Sequence, residues 1–281
     1  MTQRKGIIVS GGSGTRLYPI TMGVSKPLLP IYDKPMVYNP LTVLMITGTR
    51  EVMVITTLYH ANQIQSVLDD GSQWSISLQY KAQSSPDGQA QVLFLAKQLL
   101  ANASVVVVLA NNIFYNHSLL TPLHKADKTI RGVTTFTYHL VDFERRNIMN
   151  IDIDGKVKSI IEKPYVSPSN LAMTRLYLMD KTALQRAKNV RPSGRSELEI
   201  TSLLKSYPCD AALSVQKMGS GFDWIDAGTH DSLFDAKSFV RTLTEWQGAQ
   251  VGSPDQVALD KGWIGEVKQK IYARKIVLNV Q

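Results

Sequence analysis

Cysteine is nearly missing from this chain: Cys209 is the single example in 281 residues. With one thiol, no intrachain disulfide can close and no cysteine-rich metal site can form, and the expected compartment is the reducing cytoplasm. Long apolar runs are missing too. Although 44% of the residues are hydrophobic, no stretch approaches the ~20 residues that span a bilayer, so no membrane role is expected. Met1-Thr2-Gln3-Arg4-Lys5 leads straight into a strand-like run and leaves no room for a signal peptide. There is no internal repeat and no low-complexity linker. Two common phosphate fingerprints are also absent: Lys26 lies too far beyond the early glycines for a P-loop, and Leu17 stands where a dinucleotide loop needs its third glycine or alanine.

What is present is a core-sized share of apolar residues and a basic balance. The formal net charge is +8, which attracts phosphate at long range. Basic residues are nonetheless spread along the chain, with mild clusters at Arg145-Arg146 and Lys268 to Lys275, and no nucleic-acid module accompanies them. A polyphosphate small molecule is a sufficient partner, and nucleic acid is not expected.

The densest signal is Gly6-Ile7-Ile8-Val9-Ser10-Gly11-Gly12-Ser13-Gly14-Thr15-Arg16-Leu17, followed by Ser25-Lys26-Pro27. Ile7 to Val9 has the length and β-branching of a buried strand, and it ends among glycines where the backbone can turn sharply and approach a ligand. Successive backbone N–H groups in such a turn form an anion nest. Arg16 adds a planar fork of donors and Lys26 a point charge. Gly11, Gly12, Ser13, Gly14, Thr15, Arg16 and Lys26 are therefore the candidate triphosphate cradle.

Further strands are expected at Val52 to Thr57, Ser77 to Tyr80 and Val105 to Leu109, separated by helix-length segments at Pro40 to Thr47 and Gln89 to Leu100. That alternation predicts an α/β fold with a mainly parallel or mixed Rossmann-like sheet flanked by helices. Asp154-Gly155 reads as the turn of a hairpin between Ile148 to Ile153 and Lys156 to Ile161. Leu171 to Met179 and Ala212 to Lys217 read as strands, and Lys181 to Lys188 as a helix. Thr229 to Trp246 reads as an amphipathic helix burying Leu233, Ala236, Val240 and Leu243. Ligands of open α/β sheets lie beyond the carboxyl ends of the strands, so the glycine loop and Leu109-Ala110-Asn111-Asn112 are expected to face one crevice. One domain over 1–281 is expected, with a nucleotide part at about 1–115, a sugar-phosphate part at about 116–230 and a helical part at about 231–281.

The glycine string with Ser25-Lys26-Pro27-Leu28-Leu29-Pro30 resembles the signature of sugar-phosphate nucleotidyltransferases, more narrowly the bacterial glucose-1-phosphate thymidylyltransferases. Tyr32-Asp33-Lys34-Pro35-Met36, Ser85-Pro86-Asp87-Gly88, Glu162-Lys163-Pro164, Glu197-Leu198-Glu199-Ile200-Thr201 and Trp224-Ile225-Asp226-Ala227-Gly228-Thr229 continue the resemblance in order. It implies attack by a sugar-1-phosphate oxygen on the α-phosphorus of dTTP, with pyrophosphate leaving. It also implies that Arg16 holds the departing phosphates, Lys26 the α-phosphate, Gln83 and Gly88 the thymine base, and Lys163 and Arg195 the sugar phosphate. Glu162 would accept hydrogen bonds from sugar hydroxyls. Mg²⁺ is the implied cofactor, and a homotetramer serving a polysaccharide or antibiotic-sugar route the implied context.

The chain departs from the pattern near the chemistry. The family's two metal-binding aspartates correspond to Asp226 and to Asn111, where the anionic ligand has become neutral. Family glycines correspond to Asn147, in the sugar-binding stretch, and to Arg175. Pro27 replaces a glutamine common in the thymidylyl branch, and the segment after Trp263 is shorter than usual for the family. Two readings stay open at this point: a working transferase, and an impaired paralogue that binds dTTP or a dTDP-sugar and acts by binding.

Overall fold

In a computed structural model of the chain, the described residues are 4–12, 14–85, 88–116, 119–127, 131–140, 146–162, 164, 166–167, 169–194, 197–207, 212–219 and 221–266. The apolar run of the first strand, Lys5–Val9, lies at the middle of a sheet, between Glu51–Thr57 and Val105–Leu109, and is parallel to both. Ile7 faces Met53 on one side and Val107 on the other. Strand alternation then divides the side chains between the two faces. Ile8, Val54 and Val108 pack with the helices Tyr38–Ile46 and Ala61–Leu68, while Ile7, Ile55 and Val107 pack with Val92, Leu93, Leu203 and Leu204. Each of these side chains, fully buried, contributes about 1.5–3 kcal/mol.

Among the described residues nine strands join in this sheet. Ser77–Gln83 extends it in parallel beyond Glu51–Thr57. On the other side Leu171–Met179 runs antiparallel to Val105–Leu109 and to Val133–His139, and Leu213–Lys217 pairs in parallel with the latter. The sheet is mixed, as its crossovers and hairpins require. The expected hairpin is present as Ile148–Ile151 and Val157–Ile161, with Gly155 at φ +83° in its turn, and it joins the sheet where Ile148 meets Ala172.

Two elements place the functional loops. A ribbon pairs Asn112–Tyr115 with Asp223–Asp226, bringing Asp226 opposite Asn112. The helix His230–Gln247 follows at once, capped by Thr229, whose Oγ1 accepts from the Ser232 N–H while the Ser232 hydroxyl caps the Thr229 N–H. Its expected apolar face is buried against Leu17, Leu29 and Ile113. The segment expected as one helix from Gln89 to Leu100 is broken. A 3-10 turn at Gln89–Gln91 leads into Val92–Leu95, and Ala96 separates that from Lys97–Leu100. Among the described residues no helix is long and apolar enough to cross a membrane.

Candidate active site

Past Val9 the chain leaves the sheet with the Ser10 N–H still bonded to the Ile55 carbonyl at 2.7 Å, so the glycine loop hangs from a fixed point. Gly11 leaves room for the Gln83 side chain: a Cβ there would lie 2.5 Å from Gln83 Oε1, which would have to shift. Gly14 takes the left-handed conformation at φ +64° and turns the chain into the Thr15–Leu17 turn that carries Arg16. Its carbonyl accepts from the Thr21 hydroxyl at 2.9 Å. The loop, Lys26, Asn111 and Arg175 line one cavity of about 310 Å³ at the carboxyl ends of Lys5–Val9 and Val105–Leu109. The crevice therefore lies where the strand order placed it.

Lys26 opens a short 3-10 turn, Lys26–Leu28, stiffened by Pro27. Burial pushes its ammonium down to about 8 from the ordinary 10.5; Asp226 opposes the shift, and Arg16, Arg175 and Arg146 add to it. A cation held against desolvation and three guanidinium groups is stabilised by any anion that enters beside it.

Asp226 is the carboxylate of the site and is itself buried. Its Oδ1 accepts from the Asn111 side-chain amide and its Oδ2 from Arg146, while Arg175 Nη1 stands 3.8 Å from Oδ2. Because a carboxylate only accepts, the NH₂ of Asn111 must face it, which turns the Asn111 oxygen away. That oxygen faces the Asn112 amide at 3.5 Å. Arg146 also lies over the Trp224 ring, 5.2 Å from its centroid, and the Trp224 indole N–H donates to Asn112 Oδ1 at 2.6 Å. Asn111, Asn112, Trp224, Asp226 and Arg146 thus form one linked cluster.

This donor set does not fit a protein-held Mg²⁺. The ion wants near-octahedral oxygen ligands, with one or two carboxylates and the rest phosphate or water. Here both oxygens of Asp226, the single carboxylate of the site among the described residues, are already engaged, Asn111 presents its N–H groups, and two guanidinium groups neutralise Asp226. Among the described residues no group of three or more His, Cys, Asp or Glu side chains is placed to hold a metal.

The remaining expected site residues spread over neighbouring ground. Gln83 is buried, donates from Nε2 to Gln91 Oε1, and lines a second cavity of about 400 Å³ with Gly11, Gly12, Thr57, Leu58 and Tyr59. Gly88, at φ +103°, packs so closely on Leu198 that a Cβ would lie 2.5 Å from its backbone nitrogen. Glu162 accepts from the Thr201 hydroxyl at 2.8 Å. Asn147 is buried, and its backbone carbonyl accepts from the Met173 N–H at 2.8 Å. Ser13, Lys163 and Arg195 lie outside the described residues. Sequence reasoning missed Arg146 as a partner of Asp226 and Gln89 as a cavity residue whose buried Oε1 has no hydrogen bond among the described residues. The only sequence signal for Arg146 was its place beside Asn147, in the stretch that departs from the family pattern.

A family profile described as nucleotidyl transferase matches residues 5–242. The glucose-1-phosphate thymidylyltransferase of Xanthomonas campestris pv. campestris strain B100 is 45% identical over 279 residues, covering 99% of this chain and 95% of its own. The enzyme of the same name from Neisseria meningitidis serogroup A is 44% identical over 275 residues, covering 98% and 96%. A solved structure of a putative glucose-1-phosphate thymidylyltransferase from Bacillus anthracis, in complex with a sucrose, superposes with TM-score 0.79 at 34% identity, covering 85% of this chain and 95% of that one. A UDP-glucose pyrophosphorylase complexed with UDP-glucose superposes with TM-score 0.73 at 18% identity, covering 85% and 99%, a likeness of fold alone.

Proposed function

The chain belongs to the nucleotidyl transferase family, and from that premise we propose that it transfers deoxythymidylyl from dTTP to glucose-1-phosphate, giving dTDP-glucose and pyrophosphate. The observation that carries this reading is near-full-length similarity to glucose-1-phosphate thymidylyltransferases in a chain whose described cradle residues share one cavity. A phosphate oxygen of the sugar attacks the α-phosphorus, one P–O bond forms, and the bond to the β-phosphate breaks. The protein has no covalent step to perform, so positioning and charge lower the barrier.

In this reading the glycine loop and Arg16 hold the β- and γ-phosphates that depart, and Lys26 follows the α-phosphate. Each such contact is worth about 3 kcal/mol in the transition state. Gln83, the cavity beside it and Gly88 take the thymine base. Lys163 and Arg195 take the phosphate of the sugar-1-phosphate, Glu162 accepts from its hydroxyls, and Asn147 belongs to the same sugar-phosphate site. Nucleotidyltransferases of this kind generally use a divalent metal. Mg²⁺ is the proposed ion of the transfer reaction, although the residues around Asp226 do not fit it as a protein-held ligand set. A cytoplasmic homotetramer is the proposed setting.

The test is pyrophosphate release from dTTP, measured with and without glucose-1-phosphate. Release that requires the sugar phosphate is expected, together with dTDP-glucose in the products. A folded protein that releases no pyrophosphate from any sugar-1-phosphate offered would overturn the reading.

A further inference from the structure

Position 175 combines three properties that rarely coincide. Arg175 is in the left-handed region at φ +60°, inside the strand Leu171–Met179 where its register with Val133–His139 shifts. A non-glycine side chain is strained there. It is also an arginine 8% exposed, so its charge is largely out of water. Finally, it lines the phosphate cavity, and among the described residues its guanidinium makes no hydrogen bond. Its distance of 3.8 Å from Asp226 Oδ2 is an ion-pair distance that leaves its donors uncommitted. Lys26 and Arg16, in the same cavity, are likewise without a hydrogen-bond acceptor among the described residues.

The charge arrangement gives this combination a direction. Lys26 senses Arg16, Arg175 and Arg146 as like charges and Asp226 as the opposite one. Among the described residues four cations therefore share one carboxylate, whose oxygens are already taken by Asn111 and Arg146. A polyphosphate answers that excess by accepting from the free donors. A divalent cation would have to approach through it.

We propose that Arg175, steadied with Arg146 by Asp226, binds the nucleotide phosphates directly and stands where a divalent cation would otherwise be held, so that a nucleoside triphosphate binds this chain without metal. The inference rests on the nucleotide-binding reading above and adds which group neutralises the phosphates. A guanidinium suits the task because it stays charged at any working pH and presents a planar fork to two phosphate oxygens. Free triphosphate carries more negative charge than its Mg²⁺ complex, so the cationic cavity favours the metal-free form.

Calorimetric titration with dTTP in EDTA and in Mg²⁺ tests this. The wild-type protein should bind dTTP in EDTA at least as tightly as in Mg²⁺. Arg175→Gly, which relieves the strained backbone, should lose about tenfold in EDTA, the loss of one charge-assisted contact. Arg175→Lys, which keeps a cation, should fall between the two. The double variant Asn111→Asp with Arg175→Gly should bind more tightly in Mg²⁺ than in EDTA. Weaker wild-type binding in EDTA than in Mg²⁺ overturns the inference, as does a folded Arg175→Gly protein with unchanged affinity in EDTA. Absence of dTTP binding in both buffers overturns the nucleotide-site reading itself, and a binding curve in Mg²⁺ alone separates the two failures.

Discussion

Replacing Lys26 by methionine should make the protein more stable and less active at once. Burial and three neighbouring guanidinium groups hold the Lys26 ammonium at about 8 against an ordinary 10.5. The native state therefore binds this proton less tightly than the unfolded chain does. Below pH 8 the lysine is charged in both states and the full penalty is present. Between pH 8 and 10.5 the native state gives up its proton first and the penalty shrinks, and above the ordinary value it is gone. At pH 7 the shift corresponds to about 3 kcal/mol, from about 1.4 kcal/mol per pH unit. Methionine keeps the length and apolar body of the side chain without the charge. Allowing for imperfect packing of the thioether, Lys26→Met should gain about 1–3 kcal/mol at pH 7, a rise in Tm of roughly 2–8 °C. Melting curves from pH 6 to 10.5 on the parent and the variant measure it, alongside pyrophosphate release, which should fall by about 100-fold or more. A variant that melts at or below the parent temperature at pH 7, or whose advantage grows with pH, would refute the argument.

Two further outcomes follow from the Asp226 cluster. Asn111→Asp replaces the amide that donates to Asp226 with a second carboxylate. A like-charge pair in contact costs about 4 kcal/mol at an intermediate dielectric, partly offset by Arg146 and Arg175, so Tm in EDTA should drop by about 5 °C; an unchanged Tm in EDTA would contradict the geometry. Trp224→Phe removes the indole donor from Asn112 Oδ1 and leaves a buried acceptor unmet, so chemical denaturation should show a loss of about 1–3 kcal/mol, and no loss would show that the bond is dispensable.

The parallel strands and the helix from His230 were legible because each carries its own pattern: β-branched runs of strand length, and Leu233, Ala236, Val240 and Leu243 on one face. The break at Ala96 was not, because the segment's start is fixed from outside. Gly88 lies against the Leu198 backbone, and the Ala90 N–H is bonded to the Leu198 carbonyl at 2.9 Å. Contacts more than a hundred positions apart leave no trace in a local pattern. The same holds at the site. Gly11, Gly14, Arg16 and Lys26 could be read from one short stretch, and Asp226 and the departure at Asn111 from motif strings. That Arg146, 80 positions before Asp226, would hold its carboxylate emerges only when the ribbon and the hairpin meet. Arg175 was visible as a misfit at a glycine position, and its meaning depended on where its guanidinium pointed.

Every arginine codon becomes a glycine codon by a change of its first base, and every asparagine codon becomes an aspartate codon in the same way. The left-handed backbone at Arg175 is therefore one mutational step from a residue that sits there without strain, and Asn111 is one step from a carboxylate. A growing population meets both changes continually, with no need of rare or multiple events. In a culture whose survival depends on this chain, the rate at which glycine spreads through position 175 then measures how much the cell gains from keeping a cation there.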